Sequence, residues 1–490
     1  MKTKFVIPVL AAGFILTLFV FFVVTMTPGT RSDTTDWAMY VMHARNLVTG
    51  VPYTATGYIY QPESTTEIGA NAYPSGLPLM LAPIYATRGY DLNLFKLLNS
   101  AFLALSLWPI YLLARRSLSQ LSSLVIILAL GFSFLYLTNY NLIQSDAPYQ
   151  LASMSVLVFL LRIYDKRRNE TNPWLWGFLA ALAITAAYLI RPFGLALLIG
   201  VCSFEILRNR RITAFSIATS VFFLPVVFLN NWLFHVDGAY RSQFIFTIKS
   251  ITHHAFEYSS LLSYAFANPL SHRFRYAMWA LTLIPAAFGF FNRIRKGLGV
   301  TELYLFVLFA VECVYWAAIA RYLLPIMPIF LIYTFEGFQA IMERVPKRLV
   351  FPLKAAAAIL LLLAPAANAV LFRPDPTDTL VTAPTFEQLC SVVRNQTEKN
   401  SLIVFWNPRV LTLSTGRFTS GWREDKPGAM IQYLDHVHPN YVIVDNRSSL
   451  DRESLIPLVA TSPSRFSPIF ENGQFRLMRW IPDANRPGSE

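Results

Sequence analysis

Long apolar runs, each closed by a basic or turn-forming stretch, fill the first three quarters of the chain. A run needs roughly 20 residues to cross about 30 Å of hydrocarbon, and about eleven approach that length. Their limits are Phe5 to Met26, Leu92 to Ala114, Leu121 to Thr138, Ala147 to Ile163, Trp174 to Ile190 and Pro192 to Leu207. Ile212 to Trp232, Phe274 to Phe291, Glu302 to Ala320, Tyr322 to Gly337 and Leu349 to Leu371 follow. The first run is longer than the roughly 7–15 residues of a signal-peptide core, and Thr27-Pro28-Gly29-Thr30 is a poor cleavage site, so it is expected to be retained as a span. The predicted fold class is an α-helical polytopic membrane protein with a soluble α/β domain at its C-terminus.

Charge then orients the pattern. With a cytoplasmic N-terminus, the inner connections hold Arg115-Arg116, then Arg162 with Lys166-Arg167-Arg168, then Arg208, Arg210 and Arg211. Arg293, Arg295 and Lys296, and then Arg344, Lys347, Arg348 and Lys354, fall on the same face. Short basic loops mark the cytoplasmic side. Residues 27–91, 233–273 and 373–490 are therefore expected on the outer side, with a membrane domain over 1–372 and a small extracytoplasmic domain over 373–490.

Within the first outer loop, Ser32-Asp33-Thr34 offers helix-capping chemistry, and Asp36 to Leu47 has helical apolar spacing closed by Gly50. This predicts an amphipathic helix lying on the outer leaflet. Tyr73 to Tyr85 is too short and too rich in proline to span, and is expected at the interface as well. In the tail, Leu402 to Trp406 and Tyr441 to Asp445 read as strands between helical or turn segments. The tail has no glycine fingerprint for phosphate or dinucleotide binding, so it is expected to serve as an accessory or substrate-docking unit.

Composition agrees with a lipid environment: the 490 residues are 54% hydrophobic and 14% charged, with a mean hydropathy of +0.44. The net charge of +13 would suggest nucleic acid in a soluble protein. Here it is a topology signal, and no nucleic-acid partner is expected. Of three cysteines, Cys202 and Cys313 fall in spans and only Cys390 in the tail, which leaves no disulfide framework outside the membrane.

Ionisable residues at the outer surface are the candidates for chemistry, because burying them is costly. Asp36 opens the first outer helix, and Asp146 opens the fourth span with Pro148 behind it. Both positions also suit simple helix capping. Arg191, before Pro192, and Arg321, before Tyr322, interrupt outer turns that are otherwise poor in cations. Arginine's planar fork of donors suits a phosphate at headgroup depth, and the same position suits snorkelling to lipid headgroups. Arg241, Lys249, His253 and His254 in the second outer loop are further anion-gripping candidates, without the spacing of a metal site. Glu312 lies within a span and is expected to be paired inside the bundle.

The order of these features resembles the C-type glycosyltransferase superfamily, especially the branch of protein O-mannosyltransferases and lipid A aminoarabinose transferases. The resemblance rests on Asp36-Trp37-Ala38-Met39-Tyr40, Ala44-Arg45-Asn46-Leu47 ending at Gly50, and Tyr73-Pro74-Ser75-Gly76-Leu77-Pro78. Asp146, Arg191-Pro192 and Arg321-Tyr322-Leu323-Leu324-Pro325 extend it. Trp37 replaces the frequent glutamate after the first acid, which brings Asp33 into consideration. The resemblance implies transfer of a sugar, with inversion, from a polyprenyl-phosphate donor to a lipid, glycan or protein acceptor on the outer face of the membrane; the compact inner loops favour a bacterial inner membrane over the endoplasmic reticulum. Asp36 would be the base, Asp146 would orient a substrate or share that role, and Arg191, Arg321 and Tyr322 would hold the donor phosphate without a required metal or other cofactor. A transporter or flippase of an anionic lipid is the alternative expectation.

Overall fold

The computed structural model describes residues 3–30, 35–61, 68–166, 172–236, 243–268, 271–373, 380–422 and 427–482. Its first half contains α1 (Thr3–Val24), α2 (Asp36–Thr49), α3 (Gly76–Arg88), α4 (Leu92–Ala114), α5 (Gln120–Gly131), α6 (Phe134–Asn139), α7 (Asp146–Lys166), α8 (Pro173–Ile190), α9 (Leu195–Asn209) and α10 (Ala214–Phe234). It continues with α11 (Ile248–Leu261), α12 (His272–Lys296), α13 (Val300–Cys313), α14 (Met327–Met342) and α15 (Lys347–Leu371). Among the described residues, eight helices are long and apolar enough to cross a membrane: α1, α4, α7, α8, α9 with its lead-in from Pro192, α10, α12 and α15. The chain is a multi-pass membrane protein.

Three expected spans come out shorter or displaced, each for a local reason. The run from Leu121 to Thr138 is divided into α5 and α6 because the Ser133 hydroxyl donates to the Leu130 carbonyl and accepts from the Tyr136 amide, ending one helix and capping the next. The ninth run ends at Cys313 rather than Ala320, and Ala320–Leu323 forms a 3-10 turn, so α14 starts at Met327 with Pro328 in its first turn. Proline there lacks only an amide that has no helical partner anyway.

Small residues let the helices approach closely. A Cβ at Gly337 of α14 would overlap the Pro285 carbonyl of α12, and one at Gly289 of α12 would overlap the Tyr333 carbonyl of α14. Such close approach lets dispersion hold helices together where lipid offers no hydrophobic gain.

The C-terminal part contains α16 (Pro384–Gln396), β1 (Leu402–Val404), α17 (Pro408–Thr415), β2 (Phe418–Ser420), α18 (Pro427–Val437), β3 (Tyr441–Asp445), α19 (Ser449–Glu453), α20 (Leu455–Thr461), β4 (Phe466–Glu471) and β5 (Phe475–Trp480). The sheet order is β2-β1-β3-β5-β4, parallel between β2, β1 and β3 and antiparallel at β5 and β4. Both sheet faces are covered, as the period-two pattern requires. Val404, Val442 and Met478 pack with Met430, Leu434 and Leu455 on one side. On the other, Ile403, Tyr441 and Leu477 share a core with Phe386, Val410 and Leu411, and with Trp37, Met39 and Val41 of α2.

That shared core corrects the expectation for α2. Trp37 through Ala44 are all buried, so the helix lies inside the protein rather than on the leaflet. Its sequence is apolar on nearly every side, which marks a helix buried all round rather than one with a single lipid-facing stripe. Gly50, at φ +70°, ends it as expected. The loop after α2 also joins the sheet beside β2: the Ile59 amide donates to the Thr419 carbonyl (2.8 Å) and the Thr419 amide to the Gly57 carbonyl (3.1 Å).

Candidate functional site

Four sequence-selected residues meet at the end of the helical bundle that faces the sheet. Asp36 is the first residue of α2 and Asp146 the first of α7. Arg191 follows the last residue of α8, and Arg321 lies in the 3-10 turn before α14. Local packing fixes these turns. A Cβ at Gly76 would meet the Leu189 carbonyl oxygen at 2.5 Å, so glycine allows the start of α3 to sit against the end of α8 beside Arg191. The Gly194 amide then donates to the Arg191 carbonyl (2.9 Å), closing the turn into α9.

Neither aspartate acts as a simple cap. Oδ1 of Asp36 accepts from the Tyr73 hydroxyl (2.6 Å) and from Arg409 Nη1 (3.2 Å), while Oδ2 accepts from Arg321 Nη2 (3.1 Å). Asp146 accepts from Arg191 and lies 3.8 Å from Arg321 Nε. The result is an alternating chain, Arg409, Asp36, Arg321, Asp146, Arg191, with one more cation than anion. The arginines are not snorkelling: the Arg191 and Arg321 side chains are 13% and 16% exposed. Tyr322 is the platform beneath both, its ring centroid 4.5 Å from the Arg191 Cζ and 5.5 Å from the Arg321 Cζ. Phe193 faces the Arg191 guanidinium at 4.9 Å. Tyr40, one turn beyond Asp36, donates to the Ser145 hydroxyl (3.0 Å) and ties α2 to the start of α7.

Burial by itself would raise the pKa of Asp36, but the Arg321 and Arg409 guanidiniums and the Tyr73 hydroxyl outweigh it and hold the carboxyl below its ordinary value. His43, on the same helix, is pushed down to about 4 by burial, so it is neutral near pH 7. Its Nδ1 lies 2.8 Å from the Tyr53 carbonyl oxygen and its ring stacks on Tyr53.

The remaining candidates fall elsewhere. Lys249, His253 and His254 are on α11: Lys249 is exposed, His253 pairs with Glu257 (3.3 Å), and His254 Nδ1 lies 3.1 Å from the Cys313 carbonyl oxygen. Asp33 and Arg241 lie outside the described residues. Glu312 is fully buried, yet among the described residues neither carboxyl oxygen has a hydrogen-bond partner, so the expected pairing inside the bundle is not found.

Arg409 is the residue that sequence reasoning missed. It sits in the first turn of α17, just beyond the carboxyl end of β1. It is 2% exposed, and besides Asp36 it donates to the Thr35 hydroxyl (3.1 Å) and the Ile68 carbonyl (2.7 Å). A cation in the first turn opposes the helix dipole, which is the one local signal that another element needs it.

No protein-family model matches the sequence, and no curated protein matches it. Solved structures do match the fold. ArnT from Cupriavidus metallidurans bound to undecaprenyl phosphate aligns over 100% of both chains at a TM-score of 0.59 and 12% identity. The Archaeoglobus fulgidus oligosaccharyltransferase in complex with zinc and sulfate aligns over 95% of this chain and 72% of its own, at a TM-score of 0.58 and 12% identity. The mycobacterial arabinofuranosyltransferase AftD aligns over 97% of this chain and 41% of its own, at a TM-score of 0.54 and 13% identity. At such identities the likeness is one of fold, and the chain has the fold of the C-type glycosyltransferases, laid out along its whole length as in ArnT.

Proposed function

We propose that this protein is an inverting glycosyltransferase that moves a sugar from a polyprenyl-phosphate donor to an acceptor hydroxyl on the outer, periplasmic face of a bacterial inner membrane. The observation that carries the proposal is the alternation of two carboxylates with three guanidiniums, that of Arg409 buried and those of Arg191 and Arg321 mostly so, at one end of an apolar bundle. Asp36 takes the acceptor proton as the acceptor oxygen attacks the anomeric carbon. The bond from that carbon to the donor phosphate breaks on the opposite side, and the departing polyprenyl phosphate keeps the electron pair. Arg191 and Arg321 neutralise the charge it gains, while Asp146 and Tyr322 hold both guanidiniums at the membrane surface. The lipid tail lies among the apolar helices. The ArnT structure with undecaprenyl phosphate and the related archaeal structure with dolichol phosphate support a lipid-phosphate ligand for this fold.

The test is transfer of radiolabelled sugar from polyprenyl-phosphate donors to membrane acceptors by the purified protein in vesicles. Asp36→Asn keeps the size of the side chain and removes the base, and is expected to lower transfer by about 10²–10⁴-fold. Undiminished transfer would remove Asp36 from the mechanism. Movement of the lipid across the bilayer without any glycosidic bond formed would replace the reading with the flippase.

A further inference from the structure

The two oxygens of Asp36 are held in different ways. Oδ1 has two donors, Tyr73 and Arg409, whereas Oδ2 has Arg321. Arg321 is also the guanidinium that reaches both aspartates, and under the reading above it turns to the donor phosphate. Arg409 has no such freedom. Nη2 is fixed on the Ile68 carbonyl and Nη1 is shared between Thr35 and Asp36. Its guanidinium also lies 5.1 Å and 5.5 Å from the Tyr58 and Tyr73 ring centroids. The loop that carries Tyr58 is bonded into the sheet beside β2, so the clamp on Arg409 and the element that delivers it form one hydrogen-bonded unit.

We infer that Arg409 is a positioning residue for the base: reaching from the C-terminal domain, it fixes Oδ1 of Asp36 and compensates its charge once Arg321 has turned to the donor phosphate, leaving Oδ2 to receive the acceptor proton. The inference rests on the glycosyltransferase reading. It makes the C-terminal domain part of the catalytic centre, at the carboxyl edge of its parallel strands, where open α/β sheets carry their sites. It also differs from a packing role in what it predicts. The charged or titratable groups facing Asp36 are Arg321, Arg409, Tyr73 and Tyr40, with Asp146 and Arg191 one step beyond. When Arg321 is engaged by phosphate, Arg409 is the remaining cation at Asp36, so its loss moves protonation of the carboxylate to higher pH. A group that merely fills space leaves the pH profile in place.

The experiment compares the parent, Arg409→Gln and Arg409→Lys as full-length proteins in vesicles with a polyprenyl-phosphate sugar donor, recording kcat and donor KM across pH. Arg409→Gln is expected to lower kcat at least about tenfold, to leave donor KM within about twofold, and to raise the acid limb of kcat by about one pH unit. Arg409→Lys restores the position of the acid limb but not full kcat, because an ammonium keeps the charge and loses the fork. Gel filtration and the thermal midpoint establish that each variant is folded; if the glutamine variant is not, the lysine variant alone decides, since an acid limb displaced as the charge is retained would overturn the inference. An unmoved acid limb in a folded glutamine variant, or a loss carried by donor KM, overturns it while leaving the glycosyltransferase reading intact. No transfer by the parent overturns both.

Discussion

Removing the Asp146 carboxylate separates two roles for the arginines, structural ion pairing and readiness for phosphate. Asp146 is 6% exposed and bonds Arg191, itself 13% exposed, with Arg321 Nε 3.8 Å away. Asp146→Asn keeps the shape and deletes one negative charge, so Arg191 becomes a mostly buried cation without its hydrogen-bonded carboxylate. Breaking one side of a buried pair costs roughly 3–5 kcal/mol. Arg321 retains Asp36, which confines the loss to one guanidinium. For a chain of this length that loss is a fall in thermal midpoint of several degrees, about 3–10 °C. Under the proposed reading, a bound polyprenyl phosphate supplies the missing anion. Ligands that bind only the folded state stabilise by about 2.7 kcal/mol at a hundredfold excess over Kd, and the variant should gain more than the parent at equal lipid concentration. The assay is thermal unfolding of detergent-solubilised protein, parent and variant, with and without polyprenyl phosphate. The double variant Asp146→Asn with Arg191→Gln should recover part of the loss, since no unpaired charge remains. A variant as stable as the parent, or equal stabilisation of both by the lipid, would refute the reasoning.

Other expectations follow from the same geometry. Lys96 is fully buried and its Nζ donates to the Thr27 carbonyl (2.5 Å) and the Gly29 carbonyl (2.8 Å), bracing the chain that enters α2. Lys96→Met deletes both bonds, and unfolding measurements should show a loss of roughly 2–4 kcal/mol. Gly337→Ala forces α14 away from α12 and should cost about 1–3 kcal/mol or more, whereas Gly473→Ala, with open space around its Cβ, should fall within about 0.5 kcal/mol of the parent in the same assay. Because the folded pKa of Asp36 lies below its ordinary value, the stability it contributes is complete above the unfolded pKa of about 4 and is lost as pH falls through the lower folded value. Stability titrated from pH 6 to pH 3 should therefore fall less steeply in Asp36→Asn than in the parent.

Much of this architecture is written in the apolar pattern, and its failures have local causes. Most of the long runs became long helices because a membrane-spanning backbone must satisfy its own hydrogen bonds. The misplaced limits occur where a side chain competes with that rule. Ser133 divides α5 from α6, and the Arg321 turn with the prolines after it delays α14. Hydropathy averages over windows and does not register a single hydroxyl or imino acid. For α2 the pattern itself held the answer: Met39, Val41, Met42 and Ala44 point to different sides of a helix that also buries Trp37 and Tyr40, and only a protein interior covers them all.

The site was legible wherever charge interrupted an apolar context. Asp36, Asp146, Arg191 and Arg321 stand out because each lies at an end of a hydrophobic segment, and the fold brings all four together. Arg409 did not stand out, because in a polar tail an arginine after Asn407-Pro408 reads as an exposed helix start. Its role depends on a pairing that no local pattern encodes: a loop near Tyr58 bonded to a strand near Thr419. That pairing fixes the C-terminal sheet against the bundle, with Arg409 just beyond the carboxyl end of β1 bonded to Asp36 of α2. In the proposed mechanism the bundle supplies cations for a phosphate and a carboxylate for a proton, and in this structure those opposite charges pair with each other. Under the inference drawn for Arg409, a third guanidinium anchored from outside the bundle keeps the carboxylate compensated and aimed when Arg321 turns to the phosphate.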